Sequence, residues 1–464
     1  MQNLTTSNKS RMSIMWHLSW PAILEQLLGT MVSYADTAMV GVLGKAATAA
    51  VSINASPIWL VGGFLSGIGV GYSVQVANAV GARDEYKARR TIVQAFLAVL
   101  TTGFGFLLLL QLLASFIPHW MGAAEDVLPD AIRYLRFFTL CMPGNAALYV
   151  FSAVLRCTGD TKTPLFLNSS CNILNMILNF MLIYPTRELT LFGFSFTMPG
   201  AGMGVAGAAA ASAISFDLVG LILTCVVLRR FHLFSRGCGD SLRPDRIIIR
   251  TAASLGLPYI AERMSINLGQ IAMVRMVASI GTAALAAHHI ATTAEGLCYL
   301  PAYGISAAAT ALVGQCVGAQ KKEDAKIYGA LAGKIGFSLC VATGIILFVA
   351  ARPLAGLFTP DEEVLALTVV VLRIVAFAEP FFALSIVLFG SLRGANDTRY
   401  PMFVCLFSMW VVRIVLTVLF VFVFQFGLPG VWLAMALDLI LRGILATLRW
   451  RSGKWQRLAG FTPD

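Results

Sequence analysis

Apolar and polar segments alternate along the 464-residue chain on a scale that predicts a succession of long helices. Apolar stretches of roughly 20 to 30 residues fall at 16–40, 51–78, 91–117, 132–155, 163–185, 201–228, 247–277, 283–314, 326–351, 364–390, 400–425 and 429–449. Runs of that length suit α-helices crossing a hydrocarbon core about 30 Å thick, not the short alternating strands of a barrel. The fold class expected is an all-α integral membrane protein with twelve transmembrane helices.

A few residues break the apolar pattern inside these spans. The stretch from Leu18 to Gly44 carries Pro21, Glu25 and Asp36. Either carboxylate costs about 2.5–3.5 kcal/mol at the centre of a bilayer, so an acid inside a spanning helix is a functional candidate by default. Shifting the chain by 237 residues sets this stretch on a second copy of itself. Leu18, Pro21 and Glu25 fall on Leu255, Pro258 and Glu262, and Gly44, Gly67 and Gly81-Ala82 on Gly281, Gly304 and Gly318-Ala319. Pro143, Leu155-Arg156, Asp160-Thr161 and Pro164 fall on Pro380, Leu392-Arg393, Asp397-Thr398 and Pro401. The last spans, entered at Gly204 and Gly430, match at a shift of 226, so the loop before the sixth span is 11 residues longer than its copy. Asp36 has only Met273 as its counterpart.

Six spans per repeat is an even number, so the second half inserts with the orientation of the first. The halves are therefore parallel repeats related by a pseudo-two-fold axis along the membrane normal, with a site expected between them. Residues 1–228 form the first lobe with helices 1–6. Residues 229–250, rich in arginine and containing Gly237, Gly239 and Pro244, form a cytoplasmic linker. Residues 251–464 form the second lobe with helices 7–12 and a short tail. Gly63, Gly67 and Gly71, and Ala206, Ala210 and Ala213, provide small faces for close helix packing.

Composition agrees with the membrane reading: 58% of residues are hydrophobic and only 12% charged, about half the share in ordinary globular chains. The net charge of +11 would suit nucleic acid if it were spread over a surface patch. Instead, most Lys and Arg sit on one side of the spans: Arg83, Lys87, Arg89 and Arg90, six arginines from Arg229 to Arg250, and Lys321, Lys322 and Lys326. The positive-inside rule then places both termini in the cytoplasm and the chain in the plasma (inner) membrane. Glu125, Asp126, Asp130, Asp361, Glu362 and Glu363 fall on the outer side. The polar start MQNLTTSNKSR runs into a full span without a small-residue cleavage site, so the first helix is expected to stay. Of nine cysteines only Cys238 lies in a clear loop, and the rest read as small apolar fillers without disulfide or metal spacing.

Pro21 with Asp36 and the following Thr-Ala-Met-Val-Gly, the repeated LRxxxDT loops at Leu155 and Leu392 with a proline after each, and the run Asn172-Ile-Leu-Asn175-Met-Ile-Leu-Asn179 together carry a family resemblance. The chain resembles the multidrug and toxic compound extrusion (MATE) transporters over nearly its full length. The resemblance implies a secondary active antiporter, driven by inward H+ or Na+, that exports amphipathic and often cationic small molecules by alternating access. It implies no enzymatic activity, no nucleic-acid partner and no cofactor beyond the coupling ion, and the protein is expected to act as a monomer in the lipid bilayer.

By the same resemblance, Asp36, 15 residues after Pro21, matches the family's helix 1 acid. In a poorly solvated cavity its ionised form is disfavoured, which suits an acid that exchanges a proton, and Na+ is the alternative ion at that carboxylate. Asn175 and Asn179, one turn apart on one face, match a family pair whose second member is often Asp. Here it is Asn, leaving Asp36 as the acid of the site, with Ser212 resembling the hydroxyl that completes it. Positions at which the sodium-coupled branch bears acids in helices 7 and 10 align with Ile266 and Phe382, which points to the proton-coupled, DNA-damage-inducible-F-like branch.

The remaining polar inventory stays open at this level. Glu25 reads as structural. Glu262 either lines a vestibule or packs helices, with the adjacent Arg263 as its expected ion partner. Glu295 is a cavity candidate with Arg275 in reach, while His288-His289 titrates near neutrality only if solvated. Asp217, Arg373, Arg413, Asp438 and Arg442 read as pairing or snorkelling residues. Met31, Tyr34 and Gln270, with Trp59, Tyr149 and Tyr303, offer the soft, aromatic or polar surfaces that promiscuous binders use. Two other functions compete with export. A lipid or lipid-linked oligosaccharide flippase would need several cavity cations, and a membrane-embedded transferase would need a nucleophile or metal motif, for which no spacing is present.

Overall fold

The computed structural model describes residues 8–191, 194–233 and 242–461; Gly237, Cys238 and Gly239 of the linker lie outside the described residues. Twelve long helical elements follow one another: α1 (Asn8–Gly41), α2 (Lys45–Gly81), α3 (Glu85–Leu113), α4 (Leu128–Thr139 and Met142–Cys157), α5 (Lys162–Leu182), α6 (Val205–Arg230), α7 (Arg246–Ala278), α8 (Thr282–Gly318), α9 (Lys322–Val349), α10 (Glu362–Ala376 and Glu379–Gly394), α11 (Arg399–Val423) and α12 (Gly427–Arg451). Eight of these are long and apolar enough to cross a membrane as single helices, and α4 and α10 qualify when their halves are joined. The two that fall short are α1 and α7, the proline-and-glutamate helices of the two repeats.

The broken helices have one cause. Pro143 and Pro380 are repeat partners at the second position of the continuing half-helix, and the halves meet at 51° in α4 and 52° in α10. A proline there removes one backbone donor and its ring clashes with the preceding turn, so the helix bends. The 11 extra residues before α6 are not helical. They build an antiparallel hairpin, β1 (Pro185–Leu191) with β2 (Phe194–Ala201), in which Glu188 pairs with Thr197. Just before it, Tyr184 donates to the Met39 carbonyl at 2.8 Å, tying the hairpin to the end of α1.

Between helices in lipid, close van der Waals fit replaces the hydrophobic drive, and small residues supply it. The Gly67–Gly71 face of α2 lies on α7. A Cβ added at Gly71 would sit 2.5 Å from the Ala252 carbonyl oxygen, and one at Gly256 2.6 Å from that of Gly67. In the second repeat Gly304 lies equally close on Ile23 of α1. Each proline helix therefore packs on the opposite lobe, and Ile14, Met15 and Leu18 of α1 join the core of the second lobe around Tyr328 and Trp455.

The lobes meet at the end of the molecule where α1 begins and α12 ends. There Gln75 donates to the Ile248 carbonyl at 3.2 Å, Asn78 to the Asn396 side chain at 3.1 Å, and Gln315 to the Cys157 carbonyl at 2.8 Å. Beyond this seal the two halves enclose a cavity whose wall includes Trp59, itself 67% exposed.

Candidate functional site

The cavity between the lobes has a volume of about 830 Å³. Its walls come from α1, α2, α4, α5 and α6 on one side and α7, α8 and α10 on the other. On α1 the wall is formed by Gln26, Gly29, Ser33, Asp36, Thr37 and Val40, a stripe recurring every three or four residues. Asp36 lies on it. Met31 and Tyr34 do not, because their phase turns them off the stripe; both are exposed and neither walls the cavity, contrary to the expectation from composition. Gln270 is likewise exposed beyond the wall that α7 forms with Tyr259, Arg263 and Asn267. Trp59, Tyr149 and Tyr303 do face the cavity.

Asp36, Asn175, Asn179 and Ser212, from three different helices, form one hydrogen-bonded cluster. Asn179 Nδ2 donates to Asp36 Oδ1 at 2.7 Å and lies 3.2 Å from the Asn175 amide. With the Asn175 amide oriented to satisfy both of its ends, its nitrogen donates to Asp36 Oδ2 at 3.0 Å. Its oxygen then accepts from the Ser212 N–H at 3.2 Å and hydroxyl at 3.1 Å. All four line the cavity; Asn175 and Asn179 are buried behind it, and Asp36 and Ser212 are only partly so. The result is a carboxylate held by two amide donors and open on one side to whatever occupies the cavity.

The second lobe does not repeat this cluster. At the matching positions stand Met273, Val412, Leu416 and, in place of Ser212, Asp438. Asp438 is closed off by Arg413 Nε at 2.7 Å and by Arg442 Nε and Nη2, each at 2.9 Å, while Arg442 also donates to Ser408 at 2.6 Å. Ser408–Arg413 forms a π-helical turn in α11, a local widening that re-aims Arg413 toward α12.

The glutamates have partners that sequence reasoning missed. Glu25 is gripped by Arg156 Nη1 at 3.0 and 3.1 Å and by Asn168 Nδ2 at 2.7 Å. Glu262 pairs with Arg393 at 2.6 Å, not with Arg263. Neighbouring residues on a helix point about 100° apart, so Arg263 could not turn to Glu262; it bonds the Tyr259 hydroxyl instead. A usable signal was present: Glu25 to Arg156 and Glu262 to Arg393 span the same 131 residues and coincide at the repeat shift.

Glu262 opens only into a small side pocket of about 30 Å³, beside Arg263, Ile266, Phe382 and Arg393. Ile266 and Phe382 do meet there, but as apolar residues. Glu295 is buried away from the cavity wall. Its electrostatic neighbour is Arg413, not Arg275, which is exposed and makes no ion pair among the described residues. His288 is buried edge-on against Trp432 at 5.6 Å, and His289 is exposed.

A bundle of twelve long helices in two parallel repeats around a central cavity lined by polar and apolar residues alike defines a membrane transporter. The chain belongs to the MatE family, whose profile matches residues 21–181 and again 258–419, one copy in each repeat. It is 32% identical over 458 residues to the probable multidrug resistance protein NorM of Thermotoga maritima, covering 96% of this chain and 94% of that one. It is also 27% identical over 453 residues to the uncharacterized transporter YisQ of Bacillus subtilis, covering 95% and 94%. Among solved structures, the outward-facing conformation of a multidrug resistance MATE family transporter superposes with a TM-score of 0.86 at 22% identity, covering 97% of this chain and 96% of that chain. The Vibrio cholerae MATE transporter VcmN superposes with a TM-score of 0.86 at 21% identity, covering 98% and 100%. These structures share the fold, and the family makes the protein a multi-pass membrane transporter, not an enzyme.

Proposed function

We propose that the protein is a multidrug exporter that works as a cation-coupled antiporter, with H+ as the coupling ion, expelling amphipathic and often cationic compounds as a monomer in the inner membrane. The observation that carries this reading is Asp36. It is the acid in the wall of the one large cavity among the described residues, and it is placed by Asn175, Asn179 and Ser212. Protonating Asp36 removes the charge that a cationic substrate satisfies, so proton and substrate exclude one another at the carboxylate and proton entry drives substrate release. Proton coupling is favoured over Na+ because the amides present N–H donors to the carboxylate, where a hard cation needs a shell of oxygens. With the termini in the cytoplasm by the charge asymmetry of the loops, the cavity opens outward, a state in which drug leaves and the proton enters.

A flippase reading draws on Arg156, Arg263 and Arg393, which all line the cavity. Two of these are neutralised by Glu25 and Glu262, so the cavity does not offer the row of free cations that a polyphosphate headgroup requires.

Efflux of a fluorescent cation from proteoliposomes, with a pH gradient and a Na+ gradient imposed separately, tests the proposal. Export should follow the pH gradient and be lost in Asp36→Asn. Export under neither gradient would refute antiport, and export under Na+ alone would reassign the ion. If the exchange moves net charge, each 100 mV adds about 2.3 kcal/mol per charge and the rate should respond to voltage.

A further inference from the structure

Once the charges common to the two repeats are set aside, two opposite ones remain, and both face the same cavity. The pairs Glu25–Arg156 and Glu262–Arg393 occupy matching positions and neutralise each other within each lobe. Asp36 of the first lobe is matched by the buried Met273. The converse holds at the neighbouring wall position: Arg263 of the second lobe is matched by the neutral Gln26, and both line the cavity. The first lobe thus adds one acid and the second adds one base.

The setting of Arg263 is that of a receptor group. Its Nε donates to the Tyr259 hydroxyl at 2.9 Å, and its guanidinium carbon lies 5.1 Å from the Tyr259 ring centre and 5.3 Å from that of Tyr303. The two rings and one hydrogen bond fix the plane of the group. No carboxylate lies within ion-pair distance of Arg263 among the described residues, and its two Nη amino groups find no acceptor there. Gly63 stands opposite its stem and leaves room in front of it. A guanidinium fork, held flat and unpaired at the floor of a membrane cavity, matches the planar two-oxygen face of a carboxylate or phosphate.

We propose that Arg263, framed by Tyr259 and Tyr303, is an anion subsite that takes an acidic group of the exported compound, so that the cavity accepts zwitterionic amphipaths as well as cations. Gln26 marks the depth of Arg263 on α1, and Asp36 is ten residues further along, a rise of about 15 Å. A drug-sized zwitterion spans that distance with its amine toward Asp36 and its acid on Arg263, inside a cavity of about 830 Å³. The inference rests on the export reading above for the identity of the occupant, but not for the existence of the subsite.

The test is binding to the purified full-length protein, followed by fluorescence anisotropy, with two probes: a rhodamine bearing a free carboxylate and the methyl ester of the same dye. Arg263→Gln should weaken the carboxylate dye about tenfold and leave the ester unchanged, and Arg263→Lys, which keeps the charge but not the planar fork, should recover only part of that loss. Retained ester binding also shows that the variant is folded. Equal weakening of both dyes, or of neither, overturns the subsite. So does displacement of the carboxylate dye by short-chain phosphatidylglycerol with the same dependence on Arg263, which would give the arginine to a lipid headgroup. Anisotropy needs no ion gradient, so a failure of coupled export leaves these affinities untouched and shows only in the liposome assay.

Discussion

Arg393 reaches Glu262 with an Nη2–Oε1 distance of 2.6 Å, and 237 residues earlier Arg156 makes the same contact with Glu25. Both members of the second pair are nearly buried, with side chains 11% and 5% exposed. Removing one partner strands the other charge in a low-dielectric site, which costs about 3–5 kcal/mol, whereas apolar replacement of both is often close to neutral. Glu262→Leu is therefore expected to lower the melting temperature of the detergent-solubilised protein sharply, and Glu262→Leu with Arg393→Leu to recover most of the loss. If the double variant is no more stable than the single, the pair is not the unit that the geometry indicates.

Asn179 holds Asp36 through a 2.7 Å charge-assisted hydrogen bond from a buried position. Asn179→Leu removes that donor without touching the carboxylate. Export driven by a pH gradient is expected to fall on the order of tenfold, the worth of one hydrogen bond to a charged group. Unchanged export in this variant, at equal reconstituted protein, would show that the amide does not position the acid.

How far this architecture can be read from the sequence differs from feature to feature. The twelve spans and their duplication follow from hydropathy length and from residues such as Pro143 and Pro380, because backbone satisfaction in lipid leaves few alternatives to helices. The juxtaposition of Asp36, Asn175, Asn179 and Ser212 was accessible through the motif each belongs to. The direction of individual side chains was not. Met31 and Tyr34 lie on the same helix as Asp36 but off its cavity stripe, and only the packing of α1 against α8 and α5 sets that phase. The partner of Glu262 was missed because adjacency along the chain suggested Arg263, while the real partner is 131 residues away. The hairpin formed by residues 185–201 is hidden for a different reason. Outside the membrane a loop can satisfy its backbone in many ways, and its 11 extra residues registered only as length.

Asp160, in the turn between α4 and α5, has a repeat partner in Asp397, and each holds an arginine near the end of the lobe's last helix, Arg230 and Arg449. Burial pushes the Asp160 carboxyl up, but the Thr163 N–H and hydroxyl and the Arg230 guanidinium outweigh it and hold it below the usual carboxylate value. A carboxyl lowered in the folded state stabilises the fold above its unfolded value, about 3.9, and that stability is lost as pH falls through the folded value. Asp160→Asn should therefore melt at a lower temperature than the wild type at pH 7, with the gap closing as the pH is taken below about 4. A gap that persists undiminished in acid would trace the effect to packing and not to the charge.

The seal beneath the cavity is a close crossing of two helices. Gly81 and Gly318 are repeat partners, and α2 and α8 cross there backbone to backbone. An added Cβ would lie 2.0 Å from the Gln315 carbonyl oxygen at Gly81 and 1.8 Å from that of Asn78 at Gly318. Neither neighbour is the end of a flexible side chain, so the clash can be relieved only by moving one lobe off the other. Gly318→Ala should consequently disfavour the sealed state and shift the population toward one open at the end where α1 begins and α12 ends. Spin labels on Ala82→Cys and Ala319→Cys, in a background lacking the native cysteines, report the separation of the two helix ends. A longer mean distance in Gly318→Ala than in the parent is expected, together with slower export, because a transporter that closes less often on that side completes fewer cycles. An unchanged distance distribution would mean that the crossing yields locally and does not gate the cavity.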